Sequence, residues 1–195
     1  IKLLVIACNT ASAVALSHLQ ALYAPIPVIG VIDAGAQAAV NTTQNSEIAV
    51  IATEGTVSGG AYETAILKQL PNARVAQKAC SLFVALAEEN WVDGELLEAV
   101  IGKYLNPLFN DPEHHPDTLV LGCTHFPVLK GAIQQVVGNR VALVDSAETT
   151  AEVVFEFLQN HDQLNPEQRN EQRFLVTDGV ARFARVAETF LGKAL

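Results

Sequence analysis

The chain has 195 residues, 50% of them hydrophobic and 17% charged, a balance that suits a folded globular protein with one sizeable core or two small ones. A net charge of −9 with no basic stretch excludes a nucleic-acid binder, because nothing is present to neutralise phosphates. No apolar run nears the roughly 20 residues that cross a bilayer, and the amino end lacks a charged region and cleavage site, so the expectation is a small-molecule partner, no membrane and a cytoplasmic location.

Taken in order, the predicted elements alternate strand and helix, the signature of parallel sheets with helices on their faces. Leu3–Ala7 reads as a buried strand and Ala11–Tyr23 as a helix stopped by Pro25 and Pro27. Val28–Ile32 is the next strand, followed by a helical Ala36–Val40. Ile48–Ala52 is a strand that ends in a Thr53-Glu54-Gly55-Thr56 loop and leads to a helix over Ala61–Leu70. Arg74–Ala79 reads as a strand, Glu88 and Glu89 sit on a helix, Glu95–Phe109 is an amphipathic helix and Asn110–Asp117 a polar loop. Thr118–Gly122 is a strand, and the helix after it, with Pro127 in its first turn, runs to Val137. Val141–Val144 (strand), Ala147–Leu158 (helix), Gln159–Gln172 (polar connection), Phe174–Val176 (short strand) and Val180–Leu191 (helix) complete the chain.

Ile1 falls within an apolar run, no initiator precedes it, and the chain contains no methionine, so it reads as an amino-terminally truncated piece of a longer protein. Three cysteines, an odd number, do not read as a disulfide framework and fit free thiols.

Two turns repeat one another. Leu3-Leu4-Val5-Ile6-Ala7 runs into Cys8-Asn9-Thr10, and Thr118-Leu119-Val120-Leu121-Gly122 runs into Cys123-Thr124-His125. Each places a cysteine at a strand's carboxyl end and a helix's amino end, where unpaired N–H groups and the helix dipole lower a thiol pKa and offer an anion site. Two α/β units could then face each other across a ligand, since parallel sheets bind at the carboxyl ends of their strands.

A pair of thiols on opposite faces of a carbon suits inversion, with one group removing a proton while the other returns one. Asn9, Thr10 and Thr124 supply donors for the developing enolate-like carboxylate, and His125, of the residue type whose unperturbed pKa lies near working pH, can poise Cys123 or share its proton. Thr53 and Thr56 follow a strand near where a carboxylate could bind. Each residue also has a plainer reading: strand-end cysteines are often packing, Thr10 and Thr124 can be helix caps, and His125 can be structural. Cys80 has no such context and reads as core, while His114 and His115 read as surface. Gly59-Gly60 lacks the Lys-Ser/Thr of a phosphate loop.

Ile6-Ala7-Cys8-Asn9-Thr10-Ala11-Ser12 and Val120-Leu121-Gly122-Cys123-Thr124-His125-Phe126-Pro127 resemble the paired signatures of the cofactor-independent aspartate/glutamate racemases, and the second is similar to the glutamate-specific form. The resemblance runs on through Val28–Ala36, Ile51–Thr56, Leu82–Glu89, Val144–Ser146 and Phe174–Gly179. It implies two similar parallel-sheet α/β domains facing a central cleft, residues 1–32 with 146–195 forming one and 33–145 the other. It also implies interconversion of L- and D-glutamate by Cys8 and Cys123, supply of D-glutamate for peptidoglycan, and no cofactor or metal. Glu88 resembles the acid that supports His125. The family's Asp-Ser-Gly turn and Tyr-Gly loop fall upstream of Ile1, and Ala85 stands where the family often has proline. The resemblance leaves homo-oligomerisation open.

Three other readings stand beside this one. Cys8, Cys123 and His125 could bind a metal, although no Cys-x-x-Cys or second ligand pair accompanies them. The fold could serve a non-catalytic binding protein. The substrate could be aspartate or another acidic amino acid, because few positive charges are present to fix side-chain length.

Overall fold

The computed structural model describes residues 1–166 and 172–193. Its strands are β1 (Leu4–Ile6), β2 (Val28–Gly30), β3 (Glu47–Ala52), β4 (Arg74–Ala79), β5 (Thr118–Gly122) and β6 (Ala142–Asp145). Its helices are α1 (Asn9–Tyr23), α2 (Val31–Thr42), α3 (Glu54–Ser58), α4 (Ala61–Gln69), α5 (Leu82–Glu88), α6 (Glu95–Phe109), α7 (Lys130–Val137), α8 (Ser146–Asn160) and α9 (Val180–Leu191), with a 3-10 turn over Phe126–Leu129. β1 and β2 form one parallel pair, and the other four strands form a parallel sheet in the order β4-β3-β5-β6.

The central strands are near-continuous apolar runs because helices cover both of their faces. Alternation along β3 and β5 divides them between two cores. Ala49, Ile51, Leu119 and Leu121 pack with Phe83, Leu97, Ile101, Leu105, Phe126 and Ile133. Ile48, Val50 and Val120 point the other way, against Ile32, Ala36 and Ala39 of α2 and Tyr62 and Ile66 of α4. Each such Leu or Ile stabilises the fold by about 1.5–3 kcal/mol, and truncating Ile101 to alanine would cost about 2–5 kcal/mol. The register pairs Ala52 with Gly122, so β3 and β5 end level with each other.

The cysteine turns leave their sheets in different ways. After β1, Cys8 is the N-cap of α1, its sulfur accepting from Ala11 N at 3.5 Å. Buried Ser12 ties that turn to the start of α2: its hydroxyl donates to Ile6 O (2.8 Å) and accepts from Val31 N (3.3 Å). After β5, Cys123 begins a turn closed by Phe126 N donating to Cys123 O at 3.0 Å, and the 3-10 segment intervenes before α7. Pro127 occupies the first turn of that 3-10 segment, where its missing N–H is not needed.

Several expected boundaries shift. The second strand stops at Gly30, and Val31 and Ile32 open α2. Thr53–Thr56 is not an open loop, because Thr53 caps the short α3. Phe174–Val176 forms no strand: its apolar side chains have no neighbouring strand to pair with among the described residues. The connection expected over Gln159–Gln172 is helical to Asn160, and its positions 167–171 lie outside the described residues.

Candidate active site

Asn9 is only 2% exposed, and its Oδ1 accepts a 2.6 Å hydrogen bond from Tyr62 Oη of α4. Thr10 does not cap α1; its hydroxyl reaches across to Thr53 (2.8 Å) and Thr56 (3.0 Å), which are themselves 3.1 Å apart. The three threonines thus close a ring of hydroxyls between the first turn of α1 and the end of β3. Gly55 stands beside it, where a Cβ would come to 3.3 Å from the Thr10 methyl.

Around the second turn, Cys123 Sγ lies 3.9 Å from His125 Nδ1, and His125 Nε2 lies 3.1 Å from Glu88 Oε1. An ionised Glu88 can only accept, so His125 Nε2 is the donor in that contact, and Nδ1 is the ring nitrogen that faces the thiol. Arg182 of α9 binds the other oxygen of Glu88. The result is a chain of contacts, Cys123–His125–Glu88–Arg182. Phe190 closes the far side of the imidazole in an edge-on contact with ring centroids 5.5 Å apart.

The thiols differ in setting. Cys8 is exposed and Cys123 is buried. Burial pushes the Cys123 thiol above its ordinary value, a hydrogen bond from the His125 backbone opposes that shift, and charge on Cys8 pushes it up further. The expected lowering at the second turn therefore fails, because desolvation outweighs the few N–H groups near a sulfur that does not cap an α-helix. Charge on Cys8 thus disfavours ionisation of Cys123. Cys80 is buried in the core with its thiol pushed up to about 12, as suits a packing residue.

A cleft of about 840 Å³ opens beside His125 and Glu88, walled by Phe174, Arg182, Phe183 and Phe190. Thr124 lines it, as it lines a smaller cavity of about 280 Å³ between β1 and α8. Neither cysteine lines either space. Among the described residues no group of three or more His, Cys, Asp or Glu side chains could hold a metal ion. No helix among them is long and apolar enough to cross a membrane.

The sequence pattern left out Tyr62 and Arg182. Arg182 lies 94 residues from Glu88 and had no local signal. Tyr62 had one: a tyrosine within a buried helical stripe needs a partner for its hydroxyl.

Residues 1–154 match the Asp/Glu/hydantoin racemase family. The chain belongs to that family. It is 45% identical to the glutamate racemase of Syntrophus aciditrophicus, over 100% of this chain and 71% of that protein. Among solved structures, glutamate racemase isoform RacE1 from Bacillus anthracis superposes with a TM-score of 0.92 at 37% identity, covering 100% of this chain and 72% of the other. A glutamate racemase from Francisella tularensis, solved in complex with D-glutamate, gives 0.90 at 36% identity, with 100% and 71% coverage. The α/β architecture with parallel sheets is that of this racemase family.

Proposed function

We propose that this chain racemises glutamate in the cytoplasm, supplying D-glutamate for peptidoglycan precursors, with Cys8 and Cys123 as the two proton-transfer groups. The observation that carries the reading is the pair of free thiols that stand just past the carboxyl ends of β1 and β5. The names of the relatives supply the substrate.

In this reading one cysteine is a thiolate and the other a thiol. The thiolate takes the α-proton, the Cα–H pair passes into the carboxylate as an enolate-like dianion, and the opposite thiol returns its proton to the other face. The product has inverted configuration, and the two sulfurs have exchanged protonation states. Coupling between the sulfurs favours this one-thiolate state, as in other sites where a pair of acids shares one proton. The Asn9 amide and the Thr124 hydroxyl supply donors toward the charge that develops, and a hydroxyl of the Thr10–Thr53–Thr56 ring joins them once its hydrogen turns away from its neighbour. His125, held by Glu88, sets the proton of Cys123. The reading calls on no cofactor.

The same reading divides the chain into residues 1–32 with 146–195 and residues 33–145, with the substrate between the two cysteine turns. Separation of the β1–β2 pair from the four-stranded sheet supports that division.

The test is racemisation of L- and D-glutamate in D₂O by the purified full-length protein. Product formed early should carry deuterium at Cα, because its proton comes from the opposite, solvent-exchanged thiol. Turnover should survive dialysis against a chelator. Absence of glutamate racemisation, or loss of activity with removal of a stoichiometric metal, overturns the reading.

A further inference from the structure

Tyr62 is fully buried, yet its hydroxyl emerges beside the first cysteine turn. The ring reaches there by passing two glycines. A Cβ at Gly35 of α2 would come to 3.1 Å from Tyr62 Oη and 3.2 Å from Cε1. At Gly122, immediately before Cys123, a Cβ would come to 2.9 Å from Tyr62 Cε2 and 2.9 Å from Ile51 O. The side chain therefore threads beneath the second turn to reach the first.

What it meets there is one half of a carboxamide. Tyr62 Oη donates to Asn9 Oδ1, while Asn9 Nδ2 is buried and has no hydrogen-bond partner among the described residues. A buried N–H group without an acceptor is costly and uncommon in a native fold, and a ligand oxygen is one partner that would satisfy it. A carboxamide can rotate by half a turn and exchange its two ends at little steric cost. Without a fixed donor on Oδ1, that rotation would turn an acceptor toward an anionic substrate. In this structure the phenol is the donor to Oδ1, at 2.6 Å, and burial pushes its pKa well above the ordinary value, so it keeps the hydrogen it donates.

We infer that Tyr62 is a positioning residue for the racemase site: its hydroxyl locks the Asn9 carboxamide so that Nδ2, and not Oδ1, faces the substrate. This rests on the reading of the chain as a glutamate racemase, and it adds a residue that touches no substrate atom and acts only through Asn9.

The experiment is a double-mutant cycle in the purified protein, with kcat and KM measured in both directions. Tyr62→Phe keeps the ring and removes only the donor. It should raise KM for both enantiomers by about tenfold, the worth of one well-placed hydrogen bond, with kcat changed less and the pH profile unmoved. In an Asn9→Ala background the same substitution should change nothing by more than about twofold, because the group that Tyr62 orients is gone. A purely structural tyrosine would give additive losses in the cycle, and that result overturns the proposal, as does a Tyr62→Phe enzyme indistinguishable from wild type. If Tyr62→Phe does not fold, a crystal structure of the wild-type protein with D-glutamate decides. An Asn9 carboxamide atom should lie within about 3.2 Å of a ligand oxygen, with Tyr62 Oη on its other end; a ligand that makes no contact with Asn9 overturns the proposal. A wild-type protein that does not racemise glutamate removes the underlying reading and this inference together, whereas an active wild type with an additive cycle removes this inference alone.

Discussion

Cys8 caps a 15-residue α-helix and meets solvent, whereas Cys123 is buried and precedes a four-residue 3-10 turn. Their sequences are near copies, an apolar run, a cysteine and small polar residues, and they leave their strands at the same ends. The difference shows that a motif places a sulfur but does not set its protonation. A helix terminus acts on a group within its first turn, and Cys8 accepts directly from Ala11 N there. Cys123 is withdrawn from water, and withdrawal dominates. The fold supplies His125 and Glu88 at the second turn and, among the described residues, no equivalent side-chain pair at the first.

The largest effect that bears on this contrast is removal of either sulfur. Cys8→Ala and Cys123→Ala should each lower racemisation in both directions by at least about 10³-fold, measured by circular dichroism of glutamate. Near wild-type turnover in either variant would remove the two-base assignment. Next comes the support at the second turn: Glu88→Gln should lower kcat/KM by roughly 10-fold to 10²-fold. Because L- and D-glutamate are equally stable, the loss must be equal in the two directions, and only the α-deuterium isotope effects should become asymmetric. Equal isotope effects would mean that Glu88 serves both turns alike.

Thiol accessibility sharpens the comparison more gently. Under limiting iodoacetamide, peptide mapping should find Cys8 alkylated first, Cys123 later and Cys80 unmodified while the protein stays folded, following exposure and thiolate character. Labelling of Cys123 ahead of Cys8 would contradict the burial argument. The smallest effect lies at the opposite end of the strand that carries Cys123. Burial alone would raise the Asp117 carboxyl, but hydrogen bonds from Thr43, the Gln44 and Asn45 backbone and Thr118 outweigh it and hold it below the usual range. A lowered folded-state pKa contributes stability above the unfolded value near 4, and that contribution is lost as pH falls through the folded value. Asp117→Asn should therefore cost about 1 kcal/mol in urea unfolding at pH 7, and the gap should close at acid pH. An undiminished gap at acid pH would show that the carboxylate charge is not its source.

Much of this was legible in the chain. Glu95–Phe109 and Val180–Leu191 are found where periodicity put them, and both cysteine turns follow strands. The pairs Cys8–Asn9 and Cys123–His125 were visible because their residues adjoin in sequence. Glu88, expected to support His125, lies against it. What periodicity could not give are contacts made by packing one element on another, such as Tyr62 on Asn9 across 53 residues or Arg182 on Glu88. The balance of burial against hydrogen bonding at Cys123 was equally out of reach, since depth is a property of the folded whole. Phe174–Val176 misled for a related reason: an apolar run is a strand only where a neighbour offers its backbone.

The ring of Thr10, Thr53 and Thr56 has a further consequence that follows from counting protons. Three hydroxyls own three hydrogens, and three mutual bonds use every one of them. What the closed ring can still offer outward is lone pairs alone. It can receive an ammonium group as it stands, but to meet a carboxylate one hydroxyl must turn its hydrogen away from its neighbour. An arriving acid would then open a seam between α1 and the end of β3, while an arriving amine would leave that seam shut.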